Sequence, residues 1–269
     1  MLMKKVIFTL TVLLLLAAFG ISAFMVGSYL MEGKEQEQLN SELSQIVSNA
    51  QTTEPQAPET TEAPEETTRV TETTAEEGGM LPGYEEIYEM NNDTVGWIKL
   101  PGTVLDYPVL QTPDQENYYL YRDFNKADSK RGSIYAREVC DINEPSDNIT
   151  IYGHNMADGS MFAALNGYVN KSTWEASPLI FFDTLTEYHT YKIFAVFKTS
   201  ANIGQGFSYH QFVDAETEAE FDEFVSTCKD LAFYETGITP VYGDKLICLS
   251  TCEYTLDNGR LVVAAVRIT

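Results

Sequence analysis

Two residues, Cys252 and His154, each stand at the end of an apolar segment with β-strand character. Cys252 follows Lys-Leu-Ile-Cys-Leu-Ser-Thr and precedes a polar loop, and His154 closes the segment 148–153. Two strand ends can present both side chains to one groove, where an imidazolium favours the thiolate and later gives its proton to a leaving amine. On spacing alone a strand cysteine and a lone histidine are more often structural. The pair nevertheless predicts nucleophilic thiol catalysis.

Arg260 begins the next apolar segment, across a short loop from Cys252. A guanidinium keeps its charge, so it can donate hydrogen bonds to a carbonyl oxygen on which negative charge develops. His189 alternates with apolar residues and His210 lies among aromatic residues, which favours structural roles for both. We therefore predict Cys252, His154 and Arg260 as the catalytic residues.

Other chemistries find little support. The three histidines and four cysteines fall at none of the close spacings of metal sites, and a phosphate-binding glycine loop is absent, so we predict neither a metal nor a cofactor. Cys248 and Cys252 would lie about 13 Å apart on one strand, too far for a disulfide. Cys140 and Cys228 could pair, although Cys228 also lies on the apolar face of a predicted helix.

The elements that must position these residues are mainly strands. We predict eight, over 95–100, 103–110, 132–136, 148–152, 179–183, 188–199, 245–251 and 260–268. Short strands separated by turn residues favour a β-barrel or a β-sandwich. Two helices are predicted between them, over 159–165 and 215–233, the second with an apolar face.

The N-terminal part differs in composition from the rest. Lys4 and Lys5 precede an uncharged stretch, 6–31, which as a helix is about 39 Å long and can cross a hydrocarbon core of about 30 Å. The alternative, a cleavable signal peptide, usually has a shorter apolar region. We therefore predict a retained membrane anchor over 1–31, with the rest of the chain outside the cell.

Residues 32–80 hold twelve acidic and two basic residues and no aromatic residue. Such a segment buries too little apolar surface to offset the entropy of ordering, so we predict a largely disordered stalk, with a helix possible at its start over 32–50. Residues 81–269 then form one catalytic domain. The net charge of -23 argues against nucleic acid as a partner.

Several motifs together resemble the sortases. Leu-Ser-Thr-Cys at 249–252 is similar to the sortase TLxTC signature, and Tyr-Gly-His-Asn-Met at 152–156 resembles the sortase histidine segment. The segments that resemble class B sortases in order and spacing are Asn-Asp-Thr-Val-Gly-Trp-Ile at 92–98, Asp-Tyr-Pro-Val-Leu-Gln at 106–111, Tyr-Tyr-Leu-Tyr-Arg-Asp-Phe at 118–124 and Asp-Gly-Ser-Met-Phe at 158–162. The chain departs from the signature at Cys248, where Thr is usual. By strand parity we expect Cys248 to face the floor of the groove.

The resemblance implies an eight-stranded sortase-type β-barrel with an N-terminal helix and an extra helix, 215–233, between strands 6 and 7. It also implies a membrane-tethered transpeptidase of a Gram-positive bacterium. In this reading Cys252 attacks a Thr carbonyl in a C-terminal sorting motif and holds a thioester. An amine of a cell-wall precursor or of a pilin then resolves it. Candidate substrate contacts are Ser250, Thr251 and Leu120.

Two other functions stay open at this point. A cysteine peptidase would use the same thiol but transfer the acyl group to water. A non-catalytic adhesin on a stalk would leave the placing of His154, Cys252 and Arg260 at strand ends unexplained.

Overall fold

The computed structural model describes residues 2–52, 79–202 and 204–269, which fall into two compact units divided between Glu42 and Leu43. Helix α1 (Leu2–Thr52) supplies the whole of the first unit. It includes an apolar window with a mean hydropathy of 2.5, long and apolar enough to cross a membrane. Of the predicted stalk, residues 32–52 belong to α1, and residues 53–78 lie outside the described part of the chain.

The second unit is built on a closed barrel of eight strands. Of the two predicted architectures, the barrel is therefore confirmed and the sandwich is not formed. The strands are β1 (Thr94–Lys99), β2 (Asp106–Leu110), β3 (Tyr135–Ala136), β4 (Asn148–Tyr152), β5 (Leu179–Thr184), β6 (Thr190–Ser200), β7 (Leu246–Glu253) and β8 (Gly259–Arg267). Their order around the barrel is β1-β2-β3-β4-β7-β8-β6-β5, and β1 pairs with β5 to close it. The β2–β3 and β4–β7 pairs are parallel and the others antiparallel. All eight predicted strands are therefore present.

The largest differences from the predicted boundaries lie at turns. β2 begins at Asp106 rather than at 103, because Leu100 N–H donates to Leu105 O at 2.9 Å and closes a turn through Gly102, whose φ is +76°. β3 loses the start of its predicted range because Gly132 has a φ of +57° and lies against the backbone of Leu120. Left-handed backbone cannot continue a strand.

The helices outside α1 are short. They are α2 (Tyr84–Met90), α3 (Lys171–Ala176) and α4 (Glu218–Leu231). The predicted helix at 159–165 is wrong in position, because positive φ at Gly159 and Met161 delays a 3₁₀ helix until Phe162–Val169. The predicted helix at 215–233 is confirmed as α4 with trimmed ends, because Thr217 accepts from Glu220 N–H and caps it.

Strand alternation divides the apolar residues into two clusters. One fills the barrel and includes Ile247 and Leu249 of β7 together with Leu261 of β8. The other lies on the outer face of β6, β7 and β8, where α4 covers Cys248 with Phe224 and its neighbours. Cys248 therefore packs under α4, and the expectation that it faces the floor of a groove is wrong. The outer face continues past α4 toward the end of β7, where Cys252 lies.

Candidate active site

Cys252 is the one partly exposed cysteine among the four, all of which are free thiols. It lies one residue before the end of β7 and has the parity of Cys248 and Ser250, so it faces outward from the barrel. Burial raises the pKa of the thiols of Cys140, Cys228 and Cys248, and neighbouring thiols raise the last two further. Chemistry that needs an accessible thiolate is therefore open to Cys252 and closed to the other three.

His154 comes level with Cys252 because β4 and β7 pair in parallel. Their ladder matches Tyr152 with Ser250, and His154 and Cys252 each stand two positions beyond that pair. Two hydrogen bonds carry the pairing beyond the strand: Gly153 N–H donates to Ser250 O at 3.2 Å, and Thr251 Oγ1 donates to Gly153 O at 2.7 Å. The parity of His154 also directs it outward, and both side chains are half-buried.

The imidazole of His154 is also held by the segment before β3. Its Nε2 lies 2.7 Å from the carbonyl oxygen of Leu120, and the ring centroid of Tyr121 is 5.8 Å from its own. A carbonyl oxygen only accepts, so this contact assigns a proton to Nε2 and leaves Nδ1 for other partners. That tautomer suits a ring that exchanges a proton through Nδ1.

Arg260 is the register partner of Cys252 in the antiparallel β7–β8 pair. Its Nη1 donates to Asn258 Oδ1 at 3.1 Å and to Gly259 O at 2.9 Å. Asn258 has a φ of +47°, a conformation that asparagine tolerates better than most residues, and this turns its side chain toward the guanidinium. One sulfur, one imidazole and one guanidinium thus share the outer face of three neighbouring strands.

The comparisons with known proteins agree on one family. A family model described as the Sortase domain matches residues 98–268. This chain belongs to the sortase family. A sortase B of Listeria monocytogenes is 34% identical over 201 residues, which cover 73% of this chain and 78% of that relative.

Solved structures give the same result for the fold. The Staphylococcus aureus sortase B–substrate complex superposes with a TM-score of 0.73 at 26% identity, over 89% of this chain and 99% of that one. A sortase B complexed with triglycine gives 0.72 at 25% identity, over 88% and 99%. The chain is therefore a class B sortase, a cysteine transpeptidase with the eight-stranded barrel of that class.

The three candidate substrate contacts of this sortase differ in accessibility. Ser250 and Thr251 are 1% and 2% exposed, and both hydroxyls are engaged, that of Ser250 with Tyr209 Oη at 2.5 Å and that of Thr251 with Gly153. Leu120 is half-buried beside His154. A substrate contact by any of the three stays a prediction.

Two tyrosines that the sequence did not single out lie in the electrostatic field of this site. Burial raises the pKa of both Tyr135 and Tyr209, the latter to about 12, and the charge of Arg260 counters the rise at each. Tyr209 lies in a 3₁₀ turn after β6, which no pattern ties to β7. Tyr135 pairs with Tyr152 at the end of the histidine strand, but alternation does not show which strand is the neighbour, so the sequence pattern could not assign Tyr135 to the site.

The loop after Cys252 is also ordered by a buried carboxylate that sequence reasoning missed. Glu253 is 8% exposed and accepts from Lys198 Nζ at 2.8 Å. It also accepts from the backbone N–H groups of Thr255 and Leu256. Burial alone would raise its pKa, but the hydrogen bonds from Lys198 and Thr255 outweigh it and hold the pKa at about 2. Glu253 therefore stays ionised and fixes the loop that leads to Arg260.

Proposed function

We propose that Cys252 is the nucleophile, His154 the proton carrier and Arg260 the cation that stabilises the developing oxyanion. The observation that carries this assignment is the shared outer face of β4, β7 and β8: Cys252 and Arg260 are register partners, and His154 stands two residues beyond the Tyr152–Ser250 pair. Such a fixed arrangement stabilises charge as it develops without reorganisation of the site.

In the first half-reaction, the Cys252 thiolate attacks the carbonyl carbon of a Thr in a C-terminal sorting motif. Arg260 donates hydrogen bonds to the carbonyl oxygen while it carries negative charge. The C–N bond then breaks, the leaving nitrogen takes a proton from the His154 imidazolium, and a thioester remains on Cys252.

In the second half-reaction, an acceptor amine attacks the thioester carbon. Neutral His154 takes a proton from that amine, the C–S bond breaks and the Cys252 thiolate is restored. The acceptor we propose is an amine of a cell-wall precursor or of a pilin lysine. The solved sortase B complexes with a substrate and with triglycine support a peptide donor and an amine acceptor.

We further propose that α1 anchors the enzyme in the membrane of a Gram-positive bacterium with the barrel outside the cell. The uncharged stretch 6–31 and the preceding Lys4 and Lys5 support this orientation. The substrates are then surface proteins that carry sorting signals, and no nucleic acid takes part.

The test uses the full-length chain in detergent and a small library of fluorogenic sorting peptides, with and without triglycine. We expect cleavage by the wild type, a ligated product when triglycine is present, and loss of both with Cys252→Ala. Cys140→Ala is the matched control and should retain activity. Full turnover by Cys252→Ala would end the assignment, and hydrolysis without ligation at any amine concentration would favour a plain cysteine peptidase.

A further inference from the structure

Asn155, the residue after His154, makes a hydrogen bond with the peptide group of Cys252. Its Nδ2 donates to Cys252 O at 2.9 Å, and the side chain is half-buried. Because a carbonyl oxygen cannot donate, the NH₂ group of the carboxamide must face Cys252. The other end of the carboxamide, Oδ1, accepts from Asn166 Nδ2 at 2.8 Å.

This bond lies where the regular pairing of the two segments has ended. The β4–β7 ladder stops at Tyr152 and Ser250, and the next ties are made by Gly153 with Ser250 and Thr251. All of these hydrogen bonds are made by residues that precede Cys252 along β7. Asn155, which follows His154, adds a hydrogen bond to Cys252 itself.

The carboxamide is itself held on a supported loop. His154 O accepts from Phe162 N–H at 2.9 Å, and Asn155 forms an isolated bridge with Met161. Asn166 belongs to the 3₁₀ helix Phe162–Val169, whose Phe162 and Leu165 are fully buried. The loop therefore transmits the rigidity of the barrel to Asn155. A reacting pair keeps its geometry only when such neighbours are fixed.

We infer that Asn155 is a positioning residue for the transpeptidase reaction, which sets the separation of the Cys252 sulfur and the His154 imidazole through the Cys252 peptide group. The inference rests on the proposed function, since it takes those two groups as the reacting pair. In this role Asn155 affects the reactivity of the Cys252 thiol and not the recognition of the peptide.

The experiment measures Cys252 directly, without a substrate. The full-length chain in detergent is treated with iodoacetamide at pH values from 5 to 9, and alkylation of each cysteine is followed by peptide mapping. The variants are Asn155→Ala, which removes the donor, and Asn155→Asp, which has the same shape but turns an acceptor toward Cys252 O. Asn143→Asp, in the exposed loop before β4, is the matched control for the added charge. Thermal midpoints, kcat and KM are measured in parallel.

We expect Asn155→Ala to lower the alkylation rate of Cys252 and kcat by about tenfold each, with KM and the thermal midpoint little changed. Asn155→Asp should lower the alkylation rate and kcat further. It should also move the rise of the alkylation rate to higher pH, because the introduced carboxylate disfavours the thiolate. Asn166→Ala, which removes the hydrogen bonds between Asn166 and Asn155 but leaves the donor to Cys252 O, should give a loss of about threefold. A purely structural role would lower the thermal midpoint and leave the pH profile of the folded fraction in place.

Two contrary results have different meanings. If wild-type Cys252 reacts quickly and Asn155→Ala reacts as quickly, or if Asn143→Asp loses as much as Asn155→Asp, the positioning role is overturned and the proposed function stands. If wild-type Cys252 reacts no faster than buried Cys140, the thiolate mechanism is overturned and the inference with it.

Discussion

At the scale of single residues, exposure separates Cys252 from the other three cysteines. Cys140, Cys228 and Cys248 are at most 4% exposed, and burial raises the pKa of each thiol. The chain therefore carries four thiols of which one can react with an external molecule. Cys228 was predicted as a buried residue from the apolar face of its helix, and the structure confirms it.

Arg260 gives a prediction at this scale. Arg260→Lys keeps a positive charge but loses the fork of donors that Asn258 and Gly259 orient, so we expect kcat to fall about 10²- to 10³-fold with a smaller change in KM. The measurement is steady-state cleavage of a fluorogenic sorting peptide. Arg267→Lys, at the far end of the same strand, is the matched control and should keep kcat within about twofold of the wild type. An unchanged kcat in Arg260→Lys would remove the guanidinium from the mechanism.

At the scale of elements, the loop between β7 and β8 is tied to β6 and to the segment that follows it. Glu253 pairs with Lys198, and Asp257 Oδ2 accepts from Asn202 Nδ2 at 2.9 Å. Asn202 Oδ1 in turn accepts from Asn258 Nδ2 at 3.2 Å. The loop that carries the partners of Arg260 is therefore fixed at both ends.

Glu253→Gln tests this tie through the pH dependence of stability. The folded-state pKa of Glu253 is lowered from 4.5 to about 2, so its contribution is present above pH 4.5 and is lost as the pH falls toward 2. We expect the variant to be about 2 kcal/mol less stable at pH 7, with a difference that shrinks below pH 4.5. Urea denaturation at pH 7, 4.5 and 3 measures it.

The control for Glu253→Gln is Glu175→Gln, which breaks an exposed ion pair with Lys171. Surface pairs of this kind contribute at most about 1 kcal/mol, so the control should stay close to the wild type at every pH. A difference between Glu253→Gln and the wild type that persists unchanged at pH 3 would contradict an ionised Glu253 as the source of the stability.

The strands that carry the site could be predicted from sequence because their apolar runs end abruptly in turn residues. β4 and β7 end within two residues of the predicted positions, which sufficed to bring His154 and Cys252 to strand ends. The roles of Asn155, Glu253 and Tyr209 could not be predicted. Each depends on a partner that is distant in sequence, at 252, 198 and 250, and polar residues in loops follow no periodic pattern.

At the scale of the whole molecule, two histidines oppose stability in acid. Burial lowers the pKa of His189 and of His210, and the nearby Arg267 and Arg137 lower them further. Below their ordinary pKa of 6.5 the unfolded chain binds protons that the folded chain does not, so stability falls as the pH falls.

We therefore expect the free energy of unfolding to fall as the pH is lowered through 6.5. The double variant His189→Gln, His210→Gln should flatten this slope, since the remaining pH dependence comes from other groups. Urea denaturation in steps of half a pH unit measures both proteins. Equal slopes for the two would contradict the assignment to these histidines.

The overall topology could not be predicted from residue patterns, which left a barrel and a sandwich equally open. The alternation of apolar and polar residues indicates which face of a strand is buried, but it does not indicate which strand is its neighbour. The position of β7 between β4 and β8 illustrates this, since β5, β6, α3 and α4 all lie between β4 and β7 along the chain. The resemblance to a family supplied the barrel, and the register in the structure supplied the neighbours.

The order of the strands has a consequence for biosynthesis. β7 and β8 are synthesised after the other six strands of the barrel, and as a hairpin they must enter between β4 and β6, which were made earlier. Pairing between strands so distant in sequence forms slowly, and here it cannot begin before β8 has been made. A nascent polypeptide consequently contains His154 well before Cys252 and Arg260, and the shared outer face of β4, β7 and β8 is assembled only once this hairpin has entered.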